Sequence, residues 1–206
     1  MNYYIDFDST LYNTSKLKQE MLETIARDVV LRNKDVNFES ILFECKTMFC
    51  RDKIYNIYKL CDYFSEKYKI GDDILKNDID NLLLHGEKFV YEDSLPFLTK
   101  LKEEGHFLNL LTFASEDNQT YQEKKIEGSG LKGIFDKIII TSQPKHLLDL
   151  DFQNSIFIDD NPNDLLNLYS KNPLKIIRIR REGNSYSKIE INTPQINEFM
   201  DLSLTI

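Results

Sequence analysis

Apolar positions change their spacing twice along the chain. The first run, residues 3–5, is short, aromatic and β-branched, and two aspartates with a serine follow it, which is typical of a buried strand that ends at a polar turn. From residue 15 to about residue 33, apolar residues recur every four positions, as on one face of a helix, at Leu17, Met21, Ile25 and Val29. Three more segments with helical spacing begin near Phe38, Ile54 and Ile74. Four helices without a strand pattern predict a small helical bundle inserted after the first strand.

After Leu95, short apolar runs alternate with amphipathic segments. The predicted strands are 107–112, 137–141, 155–159 and 174–180, and the predicted helices are 95–104, 117–129, a short one from Pro144, 162–169 and a last one around 193–202. Strands that alternate with helices indicate βαβ units and a parallel sheet covered on both faces. The sequence predicts a Rossmann-like α/β core, residues 1–14 and 87–206, interrupted by an all-α insertion, residues 15–86.

Composition narrows the class of protein. The 206 residues are 41% hydrophobic and 29% charged, which is ordinary for a globular chain, and 26 Lys and Arg against 34 Asp and Glu give a formal charge of −8. This charge and the lack of a basic block argue against a nucleic-acid partner. The chain enters the Asp-bearing strand at once, and no apolar run approaches membrane-spanning length. We expect a cytoplasmic protein without a membrane partner.

The three cysteines, Cys45, Cys50 and Cys61, all lie on helix-like segments among apolar neighbours. No histidine cluster accompanies them. We therefore expect reduced thiols that pack in a core, and neither a disulfide framework nor a zinc site.

Polar residues follow four of the predicted strands. They are Asp6 and Asp8 after the first, Thr112 after the second, Lys145 after the third, and Asp159 with Asp160 after the fourth. Each has a structural explanation by itself, and Asp164 can be part of a helix cap begun by Asn161 and Pro162. In a parallel sheet, however, ligands bind at the carboxyl ends of the strands.

Lys145, and likewise the adjacent pair Asp159 and Asp160, calls for a group of opposite charge nearby. Lys145 falls at the start of the helix predicted from Pro144, where the helix dipole disfavours a cation, so an anion should lie nearby. Asp159 and Asp160 repel each other unless a cation lies between the strand ends. Carboxylates from two strands and one main-chain carbonyl suit Mg²⁺, while Thr112 and Lys145 can hold phosphoryl oxygens. The residues thus indicate a magnesium site with phosphate-binding groups.

With these residues in order, the sequence resembles the haloacid dehalogenase-like (HAD) hydrolase superfamily. Asp6-Phe7-Asp8-Ser9-Thr10-Leu11 is similar to motif I, Leu110-Leu111-Thr112 to motif II, Lys145 to motif III, and Ile156-Phe157-Ile158-Asp159-Asp160 with Asp164 to motif IV. The resemblance covers essentially the whole chain. It places the helical insertion where the family has its C1-type cap.

The resemblance implies a phosphatase-type member that acts on a small phosphorylated metabolite. Asp6 would be the nucleophile that forms an aspartyl-phosphate, and Asp8 the general acid and base. Mg²⁺ would be bound by Asp6, the Asp8 carbonyl and Asp159. Asp160 and Asp164 would support that site, and Thr112 and Lys145 would hold the phosphoryl group. An aspartate at position 8 is the phosphatase signature, which the dehalogenase branch usually lacks.

Several alternatives stay open at this point. Ser9 stands where the family more often has glycine, and Lys137 or Lys124 could take the role of Lys145. Either aspartate of Asp159-Asp160 could be the main metal ligand. A phosphomutase shares every motif, and a non-catalytic Mg²⁺-binding protein could share the fold. The order of motifs argues against a phospho-receiver domain.

Overall fold

The computed structural model of the protein describes residues 1–51, 56–71, 73–184, 186, 188–192 and 194–199. The chain divides into two compact units. The first comprises Met1–Ser15 and Glu87–Ile206, and the second comprises Lys16–Gly86.

A six-stranded parallel sheet forms the centre of the first unit. Its strands are β1 (Asn2–Ile5), β2 (Phe107–Phe113), β3 (Lys137–Thr141), β4 (Ser155–Asp159), β5 (Lys175–Ile179) and β6 (Gln195–Ile196). Their order across the sheet is β3-β2-β1-β4-β5-β6. The chain winds from β1 outward in one direction and then in the other, which is the strand order of a doubly wound parallel sheet. The predicted Rossmann-like α/β fold is confirmed.

Seven α-helices lie within the described residues. They are α1 (Thr14–Arg32), α2 (Phe38–Arg51), α3 (Ile57–Tyr68), α4 (Ile74–Leu84), α5 (Ser94–Glu103), α6 (Gln119–Gly128) and α7 (Pro162–Tyr169). The face of α1 that the sequence predicts as apolar is buried along its length. Ile54, which the sequence places in the third helix, lies outside the described residues, and the described helix begins after its cap, Asn56.

Two sequence predictions near the sheet are wrong. The short helix from Pro144 is a single 3-10 turn, Lys145–Leu147. In place of a last helix around 193–202, Gln195–Ile196 forms strand β6; Thr193 and residues 200–202 lie outside the described part. The Arg178 N–H donates to the Pro194 carbonyl at 2.9 Å, and the Arg180 N–H to the Ile196 carbonyl at 2.7 Å. The open edge of β5 thus captures this segment as a strand, since unpaired edge groups favour pairing with another extended segment.

The second unit has a buried core of its own. Cys45 and Cys61 are buried free thiols in this unit, as the sequence predicts for them. None of the helices in the described part of the chain is long and apolar enough to cross a membrane.

Strand β1 is buried on both faces. Tyr3, Tyr4 and Ile5 are all buried in succession, which is the pattern of a central parallel strand. Ile5 lies opposite Leu110 of β2 on one side and Ile158 of β4 on the other. The carboxyl ends of β2, β1 and β4 are therefore next to one another. The residues that follow these strands meet at the carboxyl-terminal end of the sheet.

Candidate active site

A cavity of about 170 Å³ lies at the carboxyl-terminal end of the sheet, within the first unit. All seven residues that the sequence singles out line it: Asp6, Asp8, Thr112, Lys145, Asp159, Asp160 and Asp164. Five more residues line it that the sequence did not single out as site residues, namely Ser9, Phe113, Asn161, Asn184 and Tyr186. The fold thus collects polar side chains from four different strand ends into one place.

A tight turn after β1 directs both of its aspartates into the cavity. The Phe7 carbonyl accepts hydrogen bonds from the N–H groups of Leu11 at 3.0 Å and Tyr12 at 3.1 Å. Ser9 within this turn has a φ of 58°. This left-handed conformation favours glycine and costs another residue about 1 kcal/mol. The geometry explains why glycine is the commoner residue at this motif position.

Three buried carboxylates lie together at the bottom of the cavity. Asp6, Asp159 and Asp160 each offer one oxygen atom, and these oxygens all lie within 4.8 Å of one another. Burial raises the pKa of Asp6 well above its ordinary value, with Lys145 opposing the effect and the other two carboxylates adding to it. Burial and the neighbouring Asp159 raise the pKa of Asp160 to about 7. Such crowding of negative charge is relieved by a cation.

Lys145 supplies one positive charge to this cluster. Its ammonium group lies 2.7 Å from Asp6 Oδ1 and 2.6 Å from Asp159 Oδ2, and all three side chains are buried. Burial alone would lower the pKa of Lys145, but the two carboxylates raise it above its ordinary value, so the group is charged. The anion expected beside Lys145 is therefore present. Lys145 is the lysine that joins the end of β1 to the end of β4. Lys137 begins β3 and therefore lies at the amino-terminal end of the sheet.

The cluster fits a hard divalent cation. Three carboxylates against one ammonium leave an excess of negative charge in a buried place, and oxygen ligands are those that Mg²⁺ prefers. These residues can thus hold a metal ion. Asp159 is also fixed by the Asn161 N–H, at 2.8 Å from its Oδ1, and Asp160 accepts a hydrogen bond from the Asn184 amide.

Asp164 lies in the first turn of α7 and is not one of the three clustered carboxylates. Asn161 caps this helix, accepting from the Asn163 N–H at 3.0 Å, and its amide donates to Asp164 at 3.0 Å. Pro162 occupies the first helical position. The capping role considered for Asp164 is therefore present, and it holds the loop that carries Asp159 and Asp160.

Asp8 has a different environment from Asp6. Its carboxylate accepts hydrogen bonds from Thr14, from Gln122 at 2.7 Å and from the Lys125 ammonium. Burial raises the pKa of Asp8, but Lys125 and the hydrogen bonds outweigh burial and bring the pKa below its ordinary value. The two aspartates of motif I thus have opposite pKa shifts, although they are two residues apart.

Thr112 at the end of β2 is connected to Asp8. Its side chain is buried, and its hydroxyl oxygen accepts a hydrogen bond from the Gln122 amide at 2.9 Å. Sequence reasoning missed Gln122 and Lys125. The sequence carries no signal for them, because α6 is polar at most of its positions and its buried face becomes apparent only in the fold.

Solved structures with the same architecture were found by comparison of the coordinates. A HAD phosphatase from Thermococcus onnurineus is 19% identical with a TM-score of 0.65, and the match covers 99% of this chain and 96% of that one. Magnesium-bound YfnB from Bacillus subtilis, a proposed HAD hydrolase, is 15% identical with a TM-score of 0.62, covering 99% and 97%. A 2-haloacid dehalogenase from Pseudomonas syringae pv. Tomato DC3000 is 15% identical with a TM-score of 0.59, covering 98% and 96%. This chain has the HAD-like fold.

The HAD-like fold is shown here by shape rather than by sequence. No protein-family model matches the sequence, and no curated protein matches it either. Phosphatases and dehalogenases both occur among the similar structures, so the HAD-like fold alone leaves open which bond the protein breaks. The side chains of the cavity, rather than the fold, determine which bond is broken.

Proposed function

We propose that the protein is a Mg²⁺-dependent phosphatase of the HAD superfamily. It hydrolyses the phosphomonoester of a small soluble metabolite through an aspartyl-phosphate on Asp6. One observation carries this proposal: Asp6, within the cation-binding cluster, and Asp8, with hydrogen-bonding partners of its own, line the same cavity as Thr112 and Lys145. Nucleophile, proton carrier and phosphoryl-binding groups are then all within one small space.

The metal would be held by Asp6, the Asp8 main-chain carbonyl and Asp159, with Asp160 and Asp164 in support. When bound, Mg²⁺ neutralises negative charge on the phosphoryl oxygens. The excess of buried negative charge in the cluster supports this choice of cofactor.

The side chains of this protein perform the remaining steps. The Thr112 hydroxyl and the Lys145 ammonium hold the phosphoryl oxygens, and the Asp6 carboxylate attacks phosphorus. Asp8, in its protonated form, donates that proton to the leaving oxygen as the bond between this oxygen and phosphorus breaks, and the Asp8 carboxylate remains. Asp8 then takes a proton from the water molecule that attacks the aspartyl-phosphate, which releases inorganic phosphate and restores Asp6.

Asp8 favours phosphate chemistry over dehalogenation. A halide leaves carbon without needing a proton, so a dehalogenase gives no task to a carboxylate two residues after the nucleophile. In this protein, the Asp8 carboxylate lines the cavity and is held by Thr14, Gln122 and Lys125. That arrangement supports a phosphatase-type site.

We also propose that the helical unit Lys16–Gly86 is the C1-type cap of the family, which selects the substrate. The support is its position in the chain, between motif I and motif II, and the fact that the elements of its described residues are all helices. The substrate itself is identified by testing the whole chain on a panel of phosphorylated metabolites.

The test of the proposed function is Mg²⁺-dependent release of phosphate from an aryl phosphate by the purified full-length protein. We expect Asp6→Asn to abolish release and Asp8→Asn to slow it by about 10²- to 10⁴-fold, the usual contribution of a general acid and base. Asp151→Asn is the matched control, because Asp151 is an exposed aspartate of the same unit. EDTA should stop the reaction in the wild type.

Other outcomes identify the competing functions. Transfer of phosphate between positions of one sugar phosphate, with little free phosphate, indicates a phosphomutase. Binding of Mg²⁺ without turnover of any compound in a broad panel indicates a non-catalytic protein. Equal activity of wild type and Asp6→Asn contradicts the assignment of the nucleophile.

A further inference from the structure

Helix α6 directs two buried polar side chains at Asp8. Gln122 and Lys125 are three residues apart, and therefore lie on the same face of the helix. Their exposed fractions are only 3% and 2%. The Gln122 amide nitrogen lies 2.7 Å from Asp8 Oδ2 and 2.9 Å from Thr112 Oγ1. Since an amide nitrogen carries two protons, Gln122 can donate to both groups at once and join the turn after β1 to the end of β2.

Lys125 holds the other oxygen of the same carboxylate. Its ammonium group contacts Asp8 Oδ1 and lies 5.7 Å from the centre of the Phe7 ring and 5.2 Å from that of Tyr121. Burying an ammonium group is costly unless it is paired, and an apolar residue would pack between the two rings without that cost. Packing alone therefore does not account for a lysine at this position.

We propose that Gln122 and Lys125 are positioning residues, which fix the direction of the Asp8 carboxylate and its distance from Thr112. The inference rests on the proposed function and extends it to two residues outside the four motifs. Asp8 must face the same small region twice, first when it protonates the leaving oxygen and then when it accepts a proton from water. With each of its oxygens held by a different residue of α6, the carboxylate cannot rotate between the two steps.

Leaving groups of different basicity separate positioning from a general loss of structure. Phenolate leaves phosphorus poorly without a proton, whereas dinitrophenolate leaves readily without one. For Gln122→Ala and Lys125→Met, we expect kcat/KM for phenyl phosphate to fall about 10- to 100-fold, part of the usual general-acid contribution. For dinitrophenyl phosphate, kcat/KM should stay within about threefold of wild type, because that first step needs no acid.

The second half-reaction gives an independent readout with the same variants. Hydrolysis of the aspartyl-phosphate needs Asp8 as a base whatever the leaving group was. With dinitrophenyl phosphate, kcat should therefore fall and a burst of dinitrophenolate should precede the steady state. Lys132→Met is the matched control, because that lysine is an exposed residue of the same unit, paired with Glu127 at the surface, and should behave as wild type. Equal losses of kcat/KM for both substrates, or no loss for either, overturn the proposal.

Crystal structures of the wild type and the variants test the positioning without any activity. In Gln122→Ala and Lys125→Met, we expect the Asp8 carboxylate to turn away from Thr112 while the backbone of residues 6–9 stays in place. An unchanged Asp8 side chain in both variants overturns the proposal. If Lys125→Met fails to fold, Gln122→Ala decides the question, because it removes no buried charge. If the wild type hydrolyses no phosphoester, the proposed function fails, and the structures still decide whether α6 fixes Asp8.

Discussion

Lys145 brings a buried positive charge into a group of buried carboxylates. It contacts Asp6 and Asp159 at once, so it links the turn after β1 to the end of β4. In the proposed reaction the same ammonium group would hold a phosphoryl oxygen. Its structural role and its proposed catalytic role both depend on its positive charge.

Replacing this lysine should therefore destabilise the metal-free protein. For Lys145→Met in EDTA, we expect the free energy of unfolding to fall by about 3–5 kcal/mol, the usual cost of removing one partner of a buried ion pair. Added Mg²⁺ should recover part of that loss, since a bound cation neutralises the same carboxylates. Urea unfolding with and without Mg²⁺ measures both effects. Lys137→Met is the control, because Lys137 is exposed at the start of β3, and an unchanged stability of Lys145→Met in EDTA contradicts the prediction.

The buried thiols of the second unit should be unreactive in the folded protein. Burial raises the pKa of Cys45, and likewise that of Cys61, from 9.0 to about 12. At about pH 8 only about one thiol in ten thousand is then ionised, and the thiolate is the reactive form. In a Cys50→Ser background, a thiol reagent should label neither cysteine in buffer and both in denaturant. Rapid labelling of the native protein contradicts this prediction.

The raised pKa of these two thiols also makes the free energy of unfolding depend on pH. The unfolded chain loses its thiol protons near the ordinary pKa, while the folded chain keeps them up to about pH 12. Folded protein thus binds more protons above about pH 9, and the free energy of unfolding falls as the pH rises through this range. Replacing both cysteines by serine should reduce that slope in alkaline urea titrations.

At the scale of single residues, the sequence predicts the site better than its surroundings. Asp6, Thr112, Lys145 and Asp159 could be found because each lies at or shortly after the end of an apolar strand, where a structural residue has no need of a polar side chain. Gln122 is in the middle of a polar helix, and its sequence gives no sign of which face is buried. Its partner Asp8 is 114 residues away in the sequence, so only the folded chain brings the two together.

At the scale of elements, an ion pair between Arg181 and Asp93 joins the carboxyl-terminal segment to the start of α5. Arg181 makes two hydrogen bonds of 2.8 Å to Asp93 and donates to the Thr10 carbonyl at 3.0 Å. Asp93 also accepts from the Phe199 N–H at 2.7 Å, and the Phe199 ring stacks on Phe97 at 4.1 Å. The loop after β5, the segment after β6 and the start of α5 are thereby joined.

Removing that arginine should weaken the whole first unit. We expect Arg181→Met to lower the free energy of unfolding by about 3–5 kcal/mol, because it leaves the Asp93 side chain, only 9% exposed, without its charged partner. Arg180→Met removes a more exposed pair with Glu190 and should cost about 0–1 kcal/mol. Equal midpoints in urea for the two variants contradict the prediction.

The same region shows why element predictions fail where they do. Strands β3 and β4 were predicted with their bounds, because polar residues and turns delimit each apolar run. Strand β6 was missed, because two residues carry no periodic pattern and their extended form depends on the edge of β5. The spacing of apolar residues within a short segment does not predict its pairing with a distant strand.

At the scale of the whole molecule, metal binding should stabilise the protein, since the cluster exists only when β1 and β4 are paired. A ligand that binds only the folded state adds about 2.7 kcal/mol at a hundred times its dissociation constant. We therefore expect Mg²⁺ to raise the unfolding temperature of the full-length protein and EDTA to reverse the rise.

Single substitutions in the cluster then show which carboxylate binds the metal. Asp159→Asn and Asp160→Asn should each reduce the Mg²⁺-dependent rise, and the main ligand is the residue whose change removes more of it. Asp151→Asn should keep the full rise, because Asp151 is exposed and lies before β4 rather than after it. Calorimetric titration with Mg²⁺ at fixed pH checks the same order of affinities. An unfolding temperature that rises equally with Mg²⁺ in all three variants contradicts a metal site at the end of β4, because carboxylates removed from that site must weaken its hold on a cation.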